Sequence, residues 1–242
     1  MTKPTGTDHD SRIRIKPQTR EKGARAVRPR DAASLVIVRR EGDDLDVLMG
    51  QRPKKSRFMP DAFVFPGGRV DAADARANPA TFLPADVAAH VERGATPARA
   101  RALAMAAVRE TFEETGLMLG EPGNVGRVRH ETWSTLRTQG VAPNLAPLDY
   151  IARAITRAES PVRFDARFFV VDAAHLTGDL TGSGELLDLQ WIPIDKAREM
   201  PTAVITQFIL SEVTRLGDAP PEQRRKRAYY RWRGNRRAVD YI

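Results

Sequence analysis

The stretch from Thr96 to Gly116 constrains the fold more than any other part of the chain. Thr96 followed by Pro97 supplies an N-cap and a first-turn proline, and Gly116 can end a helix in a left-handed turn, so the interval predicts a helix reaching Thr115. At about 100° per residue, Glu110, Glu113 and Glu114 fall within an arc of about 100°, while Met105, Val108 and Phe112 gather on the opposite side. One face must pack, and the other carries three carboxylates. Crowded carboxylates repel one another, and the arrangement becomes stabilising when a divalent cation neutralises them.

The flanking segments read as strands. The β-branched run Ala33 to Arg39 predicts one and Asp44 to Arg52 a second, with Glu41-Gly-Asp-Asp between them as a hairpin turn. A third, Ala62 to Phe65, stops at Pro66-Gly67-Gly68, where proline lacks a ladder donor and the glycines admit backbone shapes closed to other residues. Residues 84–93 carry a short helical pattern. Leu148 to Thr156 and Arg163 to Val171 predict an antiparallel pair, Leu187 to Ile194 a further strand, and Asp195 to Glu199 and Thr202 to Leu216 two helices. Strands mixed with helices, without regular βαβ alternation, predict an α+β fold in which a mixed β-sheet is sandwiched between α-helices.

A chain of 242 residues with 41% hydrophobic content can bury one sizeable core, so one domain with additions is expected. The net charge of +8 is unevenly spread: residues 1–31 carry +5 and residues 220–242 carry +6, leaving −3 for 32–219. The expected organisation is a mobile basic arm over 1–31, a catalytic domain over 32–219, and a basic, aromatic tail over 220–242. Arginines in that tail are interleaved with Tyr229, Tyr230 and Trp232. Such a composition suits nucleic-acid contacts, but packing of the aromatics on the domain is the favoured reading. The absence of cysteine excludes disulfides and thiolate metal sites. The four histidines are scattered, so any metal would be held by oxygen, which suits magnesium or manganese. No apolar run is long enough to span a membrane and no apolar leader is visible, so a cytoplasmic protein is expected.

Arg109, Glu110, Glu113, Glu114, Gly116 and Leu117 follow the second half of the pattern G-x5-E-x7-R-E-U-x-E-E-x-G-U, with U aliphatic, and on these residues the chain resembles the Nudix hydrolases. Thr111 departs from the aliphatic position. In the first half Gly68 and Asp74 match approximately, with aspartate where the pattern has glutamate. Asp74 lies 35 positions before Arg109 where a compact box has 8, so the box is split by an insertion of 27 residues, about 75–101. Position 101, which would hold the glutamate of a compact box, is arginine.

The resemblance implies the Nudix fold, here with a helical insertion inside the box, and metal-dependent hydrolysis of a diphosphate bond in a nucleoside diphosphate derivative. It further implies Glu110, Glu113 and Glu114 as metal ligands, the carbonyl of Gly67 as another, Arg109 as the orienting residue, and Asp74, in the role of the first glutamate of the box, together with Asp71 in the shell behind the ligands. Glu185, six residues before Trp191-Ile-Pro193, fits the glutamate that many members place outside the box as ligand or general base; a solvated loop charge is the other reading. The phrase Phe65-Pro-Gly-Gly-x-x-Asp71-x-x-Asp74 looks like the branch containing peroxisomal-type coenzyme A diphosphatases, although the chain ends in Val239-Asp-Tyr-Ile without a peroxisomal address. That branch yields 3′,5′-ADP and 4′-phosphopantetheine or its acylated form. A second signature of bacterial coenzyme A hydrolases survives only in part: Arg52 keeps its distance from Phe65, but Ser56 and Asp61 stand where leucine and glycine are expected.

Arg52, Lys54 and Arg57, with Gly67 and Gly68, are the expected substrate-binding residues, Arg52 foremost because it ends a strand near the site. The expected partner is a small nucleotide-derived molecule rather than nucleic acid, and a homodimer is compatible with the sequence. The alternatives are an ADP-ribose or NADH diphosphatase, an enzyme of RNA 5′ ends, or a non-catalytic nucleotide- or RNA-binding module.

Overall fold

A computed structural model describes residues 19–21, 25–42, 44–56, 59–218, 225–234 and 236–242. Strands β1 (Arg30–Glu41) and β2 (Asp44–Gln51) form the expected hairpin, antiparallel from Glu41 against Asp44 to Val38 against Val47. The third expected strand shortens to β3 (Phe63–Val64), which pairs with β2, and beyond the proline β4 (Gly67–Arg69) turns back onto β1. Helix α1 (Ala85–Val91) and helix α2 (Pro97–Thr115) follow. The Thr96 hydroxyl accepts from the Arg99 amide at 3.3 Å, and Gly116 closes α2 with φ +79°.

A small ladder of β5 (Gly120–Pro122) and β6 (Val141–Pro143) brackets α3 (Glu131–Gln139), a helix the sequence reading did not anticipate. The antiparallel pair β7 (Asp149–Ile155) and β8 (Phe164–Asp172) is as expected, and β8 runs parallel to β1. Then come β9 (Leu187–Pro193) on the edge of β2, α4 (Ile194–Glu199) and α5 (Val204–Asp218). The order β11-β10-β7-β8-β1-β2-β3, with β4 on β1 and β9 on β2, makes a nine-stranded mixed sheet.

The two outermost strands correct the expectation of a tail. Residues after 224 form β10 (Ala228–Arg233) and β11 (Arg236–Tyr241), and β10 pairs in parallel with β7. Ala228 and Tyr230 are buried, and the Tyr230 ring lies 5.0 Å from that of Phe208 on α5. Tyr229 faces the guanidinium groups of Arg153 and Arg231, at 5.0 and 5.1 Å from its ring centre. The aromatic and cationic residues of this segment therefore contact one another and the domain. The expected N-terminal arm falls largely outside the described residues, although Arg30 and Asp31 already belong to β1.

Pleat alternation divides β1 between two cores. Leu35 and Ile37 point to the layer formed by α2 and α3, where they meet Leu103, Met105 and Trp133; Val36 points the other way, toward Ile209 and Leu210 of α5. Alanines dominate the packed face of α2, so the helix can lie close to the sheet and carry its carboxylates to the β4 turn. Among the described residues no helix is long and apolar enough to cross a membrane.

If β10 is an integral strand, Tyr230→Ala lowers the unfolding free energy by about 3–5 kcal/mol, as expected for removal of a buried aromatic ring. Urea denaturation measures it, and a loss below about 1 kcal/mol would make the hairpin peripheral.

Candidate active site

The site forms where the β4 turn meets the last two turns of α2. A side chain at Gly67 (φ +154°) would collide with the Ala33 carbonyl and Ser34, and one at Gly68 would displace the Glu110 carboxylate. The absence of both lets the turn approach the helix. The Gly67 amide donates to Glu114 Oε2 at 2.8 Å, joining the two elements.

Arg109 holds the assembly from beneath and is only 3% exposed. Its Nε and Nη2 donate to the two carboxylate oxygens of Asp74, at 2.8 and 3.1 Å, and Nη2 also reaches the Arg69 carbonyl at 2.9 Å. Nη1 serves Glu110 Oε1 and Glu113 Oε2, each at 2.9 Å. Asp74 is fully buried, and its Oδ2 additionally accepts from the Asp71 amide at 2.8 Å. The aspartate standing where the box has glutamate is thus Arg109's partner. The inserted residues loop out between them without separating the pair.

Glu113 has partners the other two glutamates lack: its Oε1 accepts from the Thr132 hydroxyl, and His130 Nδ1 lies 4.0 Å from that oxygen. Glu110 and Glu114 remain facing the glycine turn, with Glu185 close enough to act on Glu114 electrostatically. As the side chains stand, no three carboxylates or histidines among the described residues converge as a metal cage. The sequence reading foresaw neither Thr132 nor His130, which come from the unanticipated start of α3 and carry no pattern of their own.

Burial is the largest influence on Glu114 and pushes its pKa up to about 8; the charges of Glu110 and Glu185 add to this, while the Gly67 amide and Arg52 oppose it. Glu110 is also raised, first by burial and then by Glu113, against the pull of Arg109. Burial would lower the Arg109 pKa, but its bonds to Asp74 and the neighbouring carboxylates outweigh that and hold it above the ordinary arginine value. The donors are hard oxygens that repel one another, and burial disfavours their charged forms. A divalent cation would relieve that repulsion, so the chemistry of this donor set suits such an ion.

The carboxylates line one end of a cleft of about 1500 Å³, and Arg52, Gly67, Gly68 and Glu185 border it. Arg52 Nε is buried without a protein partner. Lys54 is exposed and stands apart from the cleft, and Arg57 lies outside the described residues. The cleft then crosses the sheet along one register row, Ala32 beside Ala166, Ala166 beside Ala154 and Ala154 beside Tyr230. Phe164, Phe168, Trp232 and Ile205 of α5 add to this apolar lining, the apolar limb of the cleft, and Thr156, Arg157 and Ser160 line the cleft as well. Of this apolar limb the sequence offered only the alternation of residues 164–168.

No family model matches the chain. The crystal structure of a Nudix hydrolase from Alicyclobacillus acidocaldarius superposes with a TM-score of 0.58 at 31% identity, covering 76% of this chain and 90% of that one. The chain belongs to the Nudix hydrolase family. Two curated relatives are named acyl-coenzyme A diphosphatase NUDT19: that of Gallus gallus is 38% identical over 125 residues, or 42% of this chain, and that of Xenopus laevis is 33% identical over 105 residues, or 34% of it. This chain matches 30% and 27% of the length of those relatives.

A carboxyl held protonated only in the folded state binds a proton that the unfolded chain has released, so stability falls as pH rises between the two pKa values. In metal-free buffer the melting temperature is expected to fall from about pH 4.5 to about pH 8, at up to about 1.4 kcal/mol per pH unit from Glu114. Glu114→Gln should flatten that slope. An unchanged slope in the variant would show that Glu114 is not the titrating group.

Proposed function

We propose that the chain is a Nudix diphosphatase that hydrolyses coenzyme A or acyl-coenzyme A to 3′,5′-ADP and 4′-phosphopantetheine or its acylated form. One observation carries this reading: a single cleft is lined both by carboxylates and arginines, suited to a diphosphate, and by Ala154, Ala166, Phe164, Phe168 and Trp232, suited to the pantetheine arm and an acyl chain. The names of the NUDT19 relatives support the same choice.

In this reading Glu110 and Glu114 provide the oxygen ligands for magnesium or manganese, with Glu185 and the carbonyl of Gly67 as further donors. The chemistry supplied by the bound ion is neutralisation of phosphoryl oxygens and acidification of the attacking water. Arg109, fixed by Asp74, orients Glu110 and Glu113, while Asp71 braces Asp74 through its amide. Arg52, which borders the same cleft, binds a diphosphate oxygen. Glu185, exposed on its loop, accepts the proton of the water as the new oxygen–phosphorus bond forms and the bridging oxygen departs on the other phosphate.

A panel of coenzyme A, acyl-coenzyme A, ADP-ribose, NADH and capped RNA, with product masses, tests the substrate class. Coenzyme A and its thioesters should lead; preference for ADP-ribose or NADH would overturn the assignment. Glu110→Gln and Glu114→Gln should each lower kcat at least about 100-fold with the fold retained, because charge is lost while volume is kept. Near-normal turnover in both would refute the metal-ligand assignment. Trp232→Ala should raise KM about tenfold for a medium-chain acyl-coenzyme A and little for free coenzyme A. An equal effect on both substrates would take the acyl group out of the apolar limb.

A further inference from the structure

The insertion in the box and the C-terminal hairpin are far from one another in sequence, yet they meet. Around their junction lies a second cavity of about 70 Å³, several times the roughly 10–15 Å³ that a single water requires. Its walls include His90 and Arg93 from the end of α1, Arg153 from β7 and Arg227 at the start of β10. Arg227 is 7% exposed, and its backbone is pinned by reciprocal bonds with Ile242, at 2.9 and 3.0 Å. One of its terminal nitrogens, Nη2, reaches both oxygens of Asp149, at 2.8 and 3.0 Å. The other two nitrogens, Nε and Nη1, are buried with no partner, and so is His90 Nδ1.

The acids nearby are already committed. Asp165 takes Arg153 through two bonds, at 2.8 and 2.7 Å, and also takes Arg167 at 2.5 Å. Asp149 is about half exposed and engages only one edge of Arg227. Buried guanidinium N–H groups are satisfied in the large majority of cases; Nη1 and Nε lie on opposite edges of the Arg227 guanidinium, so each leaves its own donor open to an oxyanion. Burial and the neighbouring Arg227 and Arg93 depress the His90 pKa, and Asp149 and Asp86 offset this only in part.

We propose that this pocket is a binding site for a small oxyanion of the phosphate class, held by Arg227 and Arg93 with Arg153 and His90 alongside. It is separate from the catalytic cleft, with which it shares no lining residue. Occupation would tie the insertion to the hairpin and so brace both additions against the central sheet.

The test is thermal unfolding of the full chain in EDTA, titrated with sodium phosphate against sodium chloride at matched ionic strength. Phosphate should raise the melting temperature saturably where chloride does not. Arg93→Gln, an exposed position whose loss leaves the core intact, should weaken the apparent affinity about tenfold, the effect of one charged hydrogen-bonding partner. Arg227→Lys should do the same if it folds, while Arg236→Gln, exposed and outside the pocket, should behave as wild type. Arg52→Gln separates the pocket from the cleft: retention of the shift supports the proposal, whereas its loss in that variant and persistence in Arg93→Gln would overturn it. No saturable shift, or an equal one in every variant, would also overturn it. A parallel titration with ribose 5-phosphate distinguishes the source: exclusion assigns the free ion, and equal binding assigns the terminal group of a phosphorylated metabolite. Both results uphold the pocket.

Discussion

The buried pair between Arg109 and Asp74 is the contact on which the site depends. Neither partner has access to water, so each charge is tolerable only because the other is present, and removing one would cost about 3–5 kcal/mol. The remaining guanidinium donors point to the Arg69 carbonyl, Glu110 and Glu113. A single side chain thereby sets the distance between the glycine turn and the helix and the direction in which two glutamates leave it. The inserted residues are tolerated because both ends of the interruption are anchored by this pair.

The carboxylates above that anchor are held in electrostatic tension. Glu114 is buried with Glu110 half-buried nearby, and the guanidinium of Arg109 that meets Glu110 is shared with Asp74 and Glu113. The fold retains them in spite of the desolvation they suffer, which distinguishes the pair from a solvated acidic helix face. Glu113, bonded to Arg109 and Thr132, adds its charge to that felt by Glu110.

Much of the fold was legible because hydrophobic periodicity and punctuation are local. Thr96, Pro97 and Gly116 mark the ends of α2 to the residue, since capping depends on the chain's own first and last turns. The β1–β2 hairpin and the β7–β8 pair were visible for the same reason. The start of α3 was not: its N-cap position is His130, without a side-chain cap, and the helix is held by Trp133 and Leu136 entering a core that exists only after folding. The strands β10 and β11 were hidden by eight arginines and lysines in residues 220–242, a composition that normally marks solvated chain.

The sequence by itself determined that a helix would present glutamates on one face beside a glycine turn, because helical spacing and glycine's freedom require no partner. Tertiary structure alone decided which glutamates face that turn, that Asp74 meets Arg109 across the insertion, and that Ala32, Ala166 and Ala154 line up with Tyr230 as the floor of the cleft. Those relations join residues distant along the chain. They depend on strand register and on the competition of several acceptors for one guanidinium, and neither is settled until the sheet and helices have packed.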